Sequence, residues 1–424
     1  MRRSFIELAR SIQSIVGDEH VTTEPELWRD DPNSPVLVKP GSAEEVAACL
    51  GVCAELNAAV VPAGLMTWLE CGNPVRRADV VLSLERMSRI IEYSPADLTV
   101  TVEGGLTLSE FNFAAKRERQ WLPFDPPGFA ASTLGAIAAC NSSGALRAGF
   151  GTPRDYVIGL RLAHADGTQS KSGGRVVKNV AGYDMNKLYV GSFGTLAVLT
   201  ELTFKLRPLP ESIATLIISS KSRDSLAQVA NRIIASESRP ASIFLTRRLL
   251  KAPLVSSGDD ALLARFIESE EAVKHQAAQV ARVIDEGHTV TKLDEASGEG
   301  VWKLVADLDR QASHAFKISV PVSTAQATYE RMLAAAPGCV AAVDLATGII
   351  RMAIDADDES AIDLINRVRE TAGGSLFIER APAVVRQRAG AWGSIGATAS
   401  LMRSIKEKLD PQSLLSPGRF VAGI

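Results

Sequence analysis

Apolar and polar positions along this chain recur with two periods, and the switches between them mark its elements. Val36, Leu37 and Val38 form a short apolar run that stops at Pro40-Gly41. Ser42 and Glu45 stand three apart ahead of Val46, Leu50, Cys53 and Ala54, the spacing of a helix opened by a capping box. Asn57 closes that helix and Val60-Val61-Pro62 reads as the next strand, so a βαβ unit leads into the loop Pro62-Ala63-Gly64. Residues 80–84 predict a buried strand, and 98–102 alternate up to Gly104-Gly105. Residues 157–171 predict a hairpin turning at Asp166-Gly167, a favoured tight-turn pair. Over 195–206, Leu202, Phe204 and Leu206 share one face, with Glu201, Thr203 and Lys205 on the other. Pro208 and Pro210 end this half.

Beyond about 213 the texture changes. Strands are predicted at 213–219, 241–247, 262–267, 288–293, 315–322, 339–345, 349–355 and 375–379. Helices are predicted at 222–236, 270–286, 299–311, 323–335 and 358–372. This repeated β-α-β order with hairpins between units fits an antiparallel sheet with helices on one face, an α+β arrangement. A last helix spans 398–409 before Asp410-Pro411 and Leu415-Ser416-Pro417-Gly418-Arg419-Phe420.

Composition narrows the functional classes. With 424 residues there is room for two or three domains, and 46% apolar and 22% charged residues are those of a soluble globular protein. A net charge of −3 gives no basis for a nucleic-acid partner or an anionic membrane surface. No uncharged stretch is long enough to span a bilayer, and the first residues lack the apolar core of a signal peptide. A cytoplasmic location is expected. The five cysteines (Cys49, Cys53, Cys71, Cys140 and Cys339) are odd in number and scattered, which argues against a disulfide framework. Cys49 and Cys53 share a helix face but have no second pair to complete a metal site. An iron–sulfur centre would have to reside in a partner chain.

Chemistry concentrates in a few segments. The run from Gly173-Gly174-Arg175 through Lys178, Gly182, Tyr183 and Asp184 to Gly191-Ser192-Phe193-Gly194-Thr195-Leu196 combines glycines, small hydroxyls and cations with Val, Tyr and Leu. Such a mixture suits a flat, partly apolar cofactor bearing phosphate, and FAD fits it best. A second segment runs from Ser132-Thr133-Leu134-Gly135 to Asn141-Ser142-Ser143-Gly144, and a third is Pro417-Gly418-Arg419. Asp125-Pro126-Pro127-Gly128 reads equally as a rigid turn or a cofactor neighbour. Tyr183 and Asp184 read equally as core and cap residues or as flavin neighbours.

Together with the Pro62-Ala63-Gly64 loop, these segments resemble the FAD-linked oxidases of the vanillyl-alcohol oxidase type. Within that family the chain is most similar to FAD-binding subunits of bacterial glycolate oxidases, through residues 177–188 above all. The resemblance implies an α+β fold: a two-subdomain FAD-binding domain (1–208, split near 94), a cap domain with an antiparallel sheet (209–385), and a C-terminal segment (386–424) returning to the first. It implies non-covalent FAD, since residues 63–70 hold neither His nor Cys and Cys71 lies just beyond. It further implies that Ala63, Gly64 and Thr67, following Pro62, hold the pyrophosphate. Ser132, Thr133, Gly135, Asn141, Ser142 and Gly144 would line the cofactor's other side, and Gly191, Gly194, Thr195 and Leu196 would pack on its ribityl and adenine portions. Pro126, Lys178, Gly182, Tyr183, Asp184 and Arg419 complete the implied set. Leu65 and Met66 stand where relatives carry Gly, Ser or Thr, and Ser416 where they often carry Asn.

Oxidising a 2-hydroxy acid takes a hydride acceptor, a base for the hydroxyl proton and a cation for the carboxylate. The histidines (His20, His164, His275, His288 and His314) form no His-x-His or His-x-x-His pair. Trp302, Lys317 and Arg380 are the candidate cap groups, Lys317 and Arg380 being the catalytic candidates. Arg380 reads either as a carboxylate anchor or as a surface charge, and Trp302 as core packing. The expectation is an accessory FAD-binding subunit working beside a larger flavoprotein subunit and an iron–sulfur subunit, reaching the inner membrane only through those partners. Alternatives are a self-sufficient dehydrogenase of a D-2-hydroxy acid or alcohol, and a structural FAD-holding subunit without turnover.

Overall fold

The computed structural model describes residues 2–424 except 24, 26–33, 129–130, 176–182, 252–253, 256–258 and 286. Three main sheets account for most of it. The first is four-stranded, in the order Val21–Thr22, Val36–Val38, Val80–Ser83, Val60–Ala63, with the last three parallel. The helix Ala43–Glu55 makes the crossover between Val36–Val38 and Val60–Ala63. Ser42 accepts the Glu45 N–H, but the Glu45 carboxylate takes the N–H of Gly41, one residue before the cap, so the expected box is reciprocal by one residue further. The apolar helix face (Val46, Leu50, Cys53) meets the strands and the N-terminal helix Arg2–Val16 in one core.

The second sheet is antiparallel and five-stranded: Ile90–Ser94, Thr99–Glu103, Val198–Lys205, Val157–Ala163, Gln169–Gly173. Leu202 and Phe204 face a core closed by helices Leu108–Ala115 and Leu134–Cys140. The hairpin at 163–169 is looser than the two-residue turn expected. The His164 N–H donates to Thr168 O, and the Asp166 carboxylate takes the Thr168 N–H.

The third sheet carries eight antiparallel strands, in the order Thr289–Leu293, Ser212–Ser219, Asp260–Glu268, Ser242–Arg247, Val340–Asp344, Ile349–Ile354, His314–Ser319, Ser375–Arg380. It consists of two βαββαβ halves, 212–293 and 314–380, joined edge to edge where Ser242–Arg247 pairs with Val340–Asp344. Each half carries two helices, opened by Ser222, Ser269 and Asp357 as side-chain N-caps and by Pro321 as the fourth. Those four helices cover one face. The other face is not bare, as a one-sided arrangement would leave it. The helix Glu295–Ala306 lays Val301, Trp302 and Val305 against Ile217, Phe244, Leu263, Ala315, Ala342 and Ala353, and Ala145 from the first half of the chain joins them. Strand alternation produces this split, since Leu216 and Ile218 point one way and Ile217 the other.

Candidate functional site

Where the first two sheets meet, a cavity opens to solvent. Its first wall is the loop leaving Val60–Ala63. Residues 64–69 all line the cavity, and among the described residues none of their N–H groups donates a hydrogen bond within the protein. A row of free amides on a cavity wall is a ready anion cradle. Ser83 Oγ holds the loop's root by donating to Gly64 O at 2.9 Å.

The second wall is the start of helix Leu134–Cys140. Thr133 caps it, its Oγ1 accepting the Ala136 N–H. Two glycines let the walls close on each other. A Cβ on Gly64 would lie 2.1 Å from Thr133 Oγ1, and one on Gly135 would lie 2.6 Å from Gly104 O. The third wall comes from the sheet and the tail: Phe193, Gly194, Ala197, Val198 and Leu199, with Ser416 and Arg419. Residues 414–416 run alongside Val60, whose N–H donates to Leu414 O and whose carbonyl accepts the Ser416 N–H. Arg419 is buried. One of its nitrogens bonds Leu69 O and Cys71 O, fastening the tail to the cradle loop. Four rings, Phe193, Phe377, Trp392 and Phe420, pack together at centroid distances of 4.3–6.1 Å and join this wall to the eight-stranded sheet.

The cavity thus gathers Pro62, Ala63, Gly64, Thr67, Thr133, Gly135, Gly194 and Arg419 from the sequence set. The other residues of that set lie elsewhere. Ser132 Oγ donates to Pro127 O and Gly128 O, and Pro126 is buried away from the cavity. Asn141 accepts the Arg154 N–H, and Gly144 donates to Asp125 Oδ1. Ser142 and Gly191 are half-buried off the lining, and Thr195 and Leu196 are buried behind it. Tyr183 is 95% exposed and Asp184 is exposed, while Lys178 and Gly182 lie outside the described residues. Arg380 is exposed at a strand end opposite Ala315. Lys317 is half-buried, its Nζ 5.5 Å from the Phe377 ring centre. Trp302 is core, its N–H donated to Thr215.

Sequence reasoning missed Gly104, Phe193, Ala197, Val198, Leu199 and Cys140 on the lining. Gly104 carried a signal, a Gly-Gly pair ending a strand. Phe193 carried another, an aromatic between glycine-rich pairs, held here at φ +57°. The rest line the cavity only because two sheets dock.

Among the described residues, the ionisable groups lining the cavity are Cys71, Cys140 and Arg419. Burial pushes the Cys71 thiol up to about 11, and the Cys140 thiol well above its ordinary value. Neither is a base at neutral pH. Burial pulls Arg419 down from the ordinary guanidinium value. Among the described residues no group of three or more His, Cys, Asp or Glu is disposed to hold a metal.

Segment 125–128 meets the turn that follows helix Glu295–Ala306. The Gly128 N–H donates to Asp307 Oδ1 at 2.7 Å, and Asp125 accepts the N–H groups of Gly144 and Leu146. Burial pushes the Asp125 carboxyl up to about 7, against the pull of Arg265 and of those amides. The folded chain therefore holds a proton there at pH values where the unfolded chain has released it. This group's contribution to stability is fully present below about pH 4 and is lost as pH rises to about 7. Asp125→Asn is expected to remove a pH-dependent change on the order of 3 kcal/mol over that window, read from urea unfolding at pH 4.5 and 7.5. Equal slopes with pH in both proteins would refute the assignment.

An FAD fits these residues. The free amides of 64–69 and the Arg419 guanidinium meet a pyrophosphate's needs, and the apolar side chains between them suit a flat ring system. Among the described residues no helix is long and apolar enough to cross a membrane.

Comparisons with known proteins agree. The family model described as "FAD binding domain" matches residues 34–173. Glycolate oxidase subunit GlcD of Bacillus subtilis is 32% identical over 60% of this chain, a match spanning only 56% of that protein's length. D-2-hydroxyglutarate dehydrogenase of Xanthomonas citri is 28% identical over 97% of this chain and 96% of its own. Glycolate oxidase subunit GlcE of Escherichia coli is 28% identical over 78% and 85%. The fold matches that of 4-ethylphenol oxidase from Gulosibacter chungangensis with a TM-score of 0.77, at 14% identity, covering 99% and 97% of the two chains. Residues 34–173 thus match an FAD binding domain, the chain is similar in sequence to glycolate oxidase subunits and to a D-2-hydroxyglutarate dehydrogenase, and its fold is that of 4-ethylphenol oxidase.

Proposed function

We propose that this chain is the FAD-holding subunit of a glycolate oxidase-type complex. In this reading the complex oxidises a 2-hydroxy acid, glycolate to glyoxylate, and electrons pass to a larger flavoprotein subunit and an iron–sulfur subunit. Residues 1–208 and 386–424 hold the cofactor, and 209–385 cover it. Residues 64–69 and Arg419 hold the pyrophosphate, and the Thr133–Gly135 and Gly194 walls enclose the rest. FAD, when bound, supplies a two-electron acceptor in its isoalloxazine ring. The protein's own part is to enclose it, exclude water and fix its orientation.

The observation that carries this reading is the contrast within one cavity. Its backbone is built to receive a cofactor, yet among the described residues no carboxylate or imidazole lines it to take a hydroxyl proton. The match to GlcE, spanning 85% of that protein, supports the same assignment. A second reading, a self-sufficient D-2-hydroxy-acid dehydrogenase, draws on the near full-length match to D-2-hydroxyglutarate dehydrogenase. It also draws on Lys317, whose charge reaches both cavity thiols and which, with Arg380, would then anchor a substrate carboxylate.

The two readings separate in one titration. The purified chain, loaded with FAD, is mixed with glycolate and then D-2-hydroxyglutarate without oxygen while its visible flavin spectrum is followed. An unchanged spectrum is expected, with bleaching only when the partner subunits are added. Bleaching of the isolated chain would transfer the chemistry to Lys317 and Arg380. Failure to take up FAD at all would overturn both readings.

A further inference from the structure

Behind the cavity, outside its lining, lies a buried ion pair. The C-terminal helix Thr398–Leu409 turns Lys406 inward, leaving it 4% exposed, and Asp410 after it is 1% exposed. Lys406 Nζ donates to Asp410 Oδ2, to Thr195 O at 2.7 Å and to Leu415 O at 2.9 Å. Asp410 in turn accepts the N–H groups of Leu414 and Leu415 at 2.9 and 2.8 Å. All three ammonium protons and both carboxylate oxygens are used.

The partners stand immediately behind the cavity. Thr195 follows Gly194 and Leu415 precedes Ser416, both of which line it. The 414–416 stretch is bonded on both sides to Val60, which starts the strand leading into the cradle loop. Arg419, three residues past Ser416, closes the circuit by holding Leu69 O and Cys71 O. One ammonium group therefore fixes the sheet wall and the tail wall to each other, and through Val60 it fixes both to the cradle. The charges themselves bring little net stability over well-packed hydrophobic residues, but an apolar pair of similar volume would leave Thr195 O and Leu415 O without a donor. What the ion pair adds is a direct tie between the main chain at Thr195 and at Leu415, which are not paired with each other, while Leu415 is bridged to Val60.

We propose that Lys406 and Asp410 are positioning residues for the cofactor, setting the separation of the cavity walls so that the cradle amides and Arg419 meet one FAD in a single register. This rests on the reading of the cavity as the FAD site. Neither residue touches the cavity, so both act through Thr195, Leu415 and Val60.

The test separates positioning from packing. Lys406→Met alone strands a buried carboxylate and is expected to unfold readily. The double variant K406M/D410N removes both charges, and its amide oxygen still accepts from Leu414 or Leu415. Three quantities are measured on wild type and the double variant: the melting temperature without cofactor, the Kd for FAD by flavin fluorescence, and the visible absorbance of bound FAD. The expected result is a folded variant with a cofactor-free melting temperature lowered by several degrees, from the carbonyls of Thr195 and Leu415 left without a donor, FAD affinity about 10- to 100-fold weaker, as when groups behind a primary binding shell are removed, and displaced absorbance bands. A lowered melting temperature with unchanged Kd and spectrum would overturn the proposal, leaving the pair as a structural staple. A wild-type chain that binds no FAD would overturn the cavity reading itself, a result distinct from the previous one.

Discussion

Gly135→Ala is expected to strip the chain of most of its FAD. The added methyl would lie 2.6 Å from Gly104 O and 3.1 Å from Gly104 Cα, main-chain atoms that no rotamer change can move aside. Gly104 cannot retreat, because its own hydrogens already face Leu199, where a Cβ would come within 2.3 Å of Leu199 O. The strain must be relieved by lifting helix Leu134–Cys140 off the sheet. That breaks the 2.8 Å bond from the Gly135 N–H to Gly104 O and displaces Thr133, Ala136, Ala139 and Cys140 together, all of them cavity lining. Overpacking of this kind costs about 1–3 kcal/mol of stability. The effect on the cofactor is larger than that figure suggests, because two opposing walls move apart. The checks are the flavin-to-protein absorbance ratio of the purified variant and its FAD affinity, expected to fall at least ~10-fold when a wall moves by a fraction of an ångström. Gly51→Ala is the control: a Cβ there meets nothing within 4 Å. Full FAD occupancy in Gly135→Ala would show that the helix start does not border the bound cofactor.

The second half of the chain was legible because its elements are long, amphipathic and punctuated. Ser222, Ser269 and Asp357 cap their helices from within the sequence, and strand after strand alternates. What periodicity did not carry was the use of both faces. Helix Glu295–Ala306 looks like one more member of the repeat, and only the pairing of strand alternation with the docked first half sends it to the opposite side.

The site was legible where one loop makes one wall. Residues 62–67, Thr133–Gly135 and Arg419 announce themselves through small or charged residues beside strand ends. The helix Leu134–Cys140 was hidden in the same segment, because seven residues containing a glycine give too little helical period to read. Asn141, Ser142 and Gly144 continue that segment but turn away from the cavity, since the Asp125 carboxylate, far back in sequence, claims the Gly144 and Leu146 amides. A long-range acceptor of that kind leaves no local trace. Neither does the Lys406–Asp410 pair, which reads as an ordinary i, i+4 surface bridge until its burial is known.

Arg351→Met is expected to produce a large loss of stability in the eight-stranded sheet. Arg351 sits in the middle of strand Ile349–Ile354 and is 7% exposed. Its Nε bonds Glu379 Oε2 at 2.8 Å and its Nη2 reaches Asp309 Oδ1 at 3.3 Å. Its Nη1 donates to Val305 O and Ala306 O, each at 2.8 Å, satisfying the last carbonyls of helix Glu295–Ala306. Methionine fills the space but leaves two acids and two carbonyls without a donor, a loss of about 3–5 kcal/mol for breaking a buried pair from one side. The pH dependence identifies the cause. Burial already raises the Asp309 carboxyl above its ordinary value, and Arg351 is the main influence holding it down. Without the arginine it rises further, so the folded variant holds a proton that the unfolded chain has released. The variant's deficit is then smallest near pH 5 and grows toward pH 8. Urea unfolding of both proteins at those two pH values reads it directly, and a deficit equal at both would mean that lost packing, not stranded charge, is responsible. The same change reaches the cofactor. Asp309 and Glu379 both act on the Cys71 thiol at the cavity wall, and Lys317 lies opposite Arg351 in the strand pairing. Removing Arg351 adds uncompensated negative charge beside a site that must hold an anionic pyrophosphate. The variant is therefore expected to retain FAD more weakly at pH 8 than at pH 6, whereas wild type, with the pair intact, retains it alike at both.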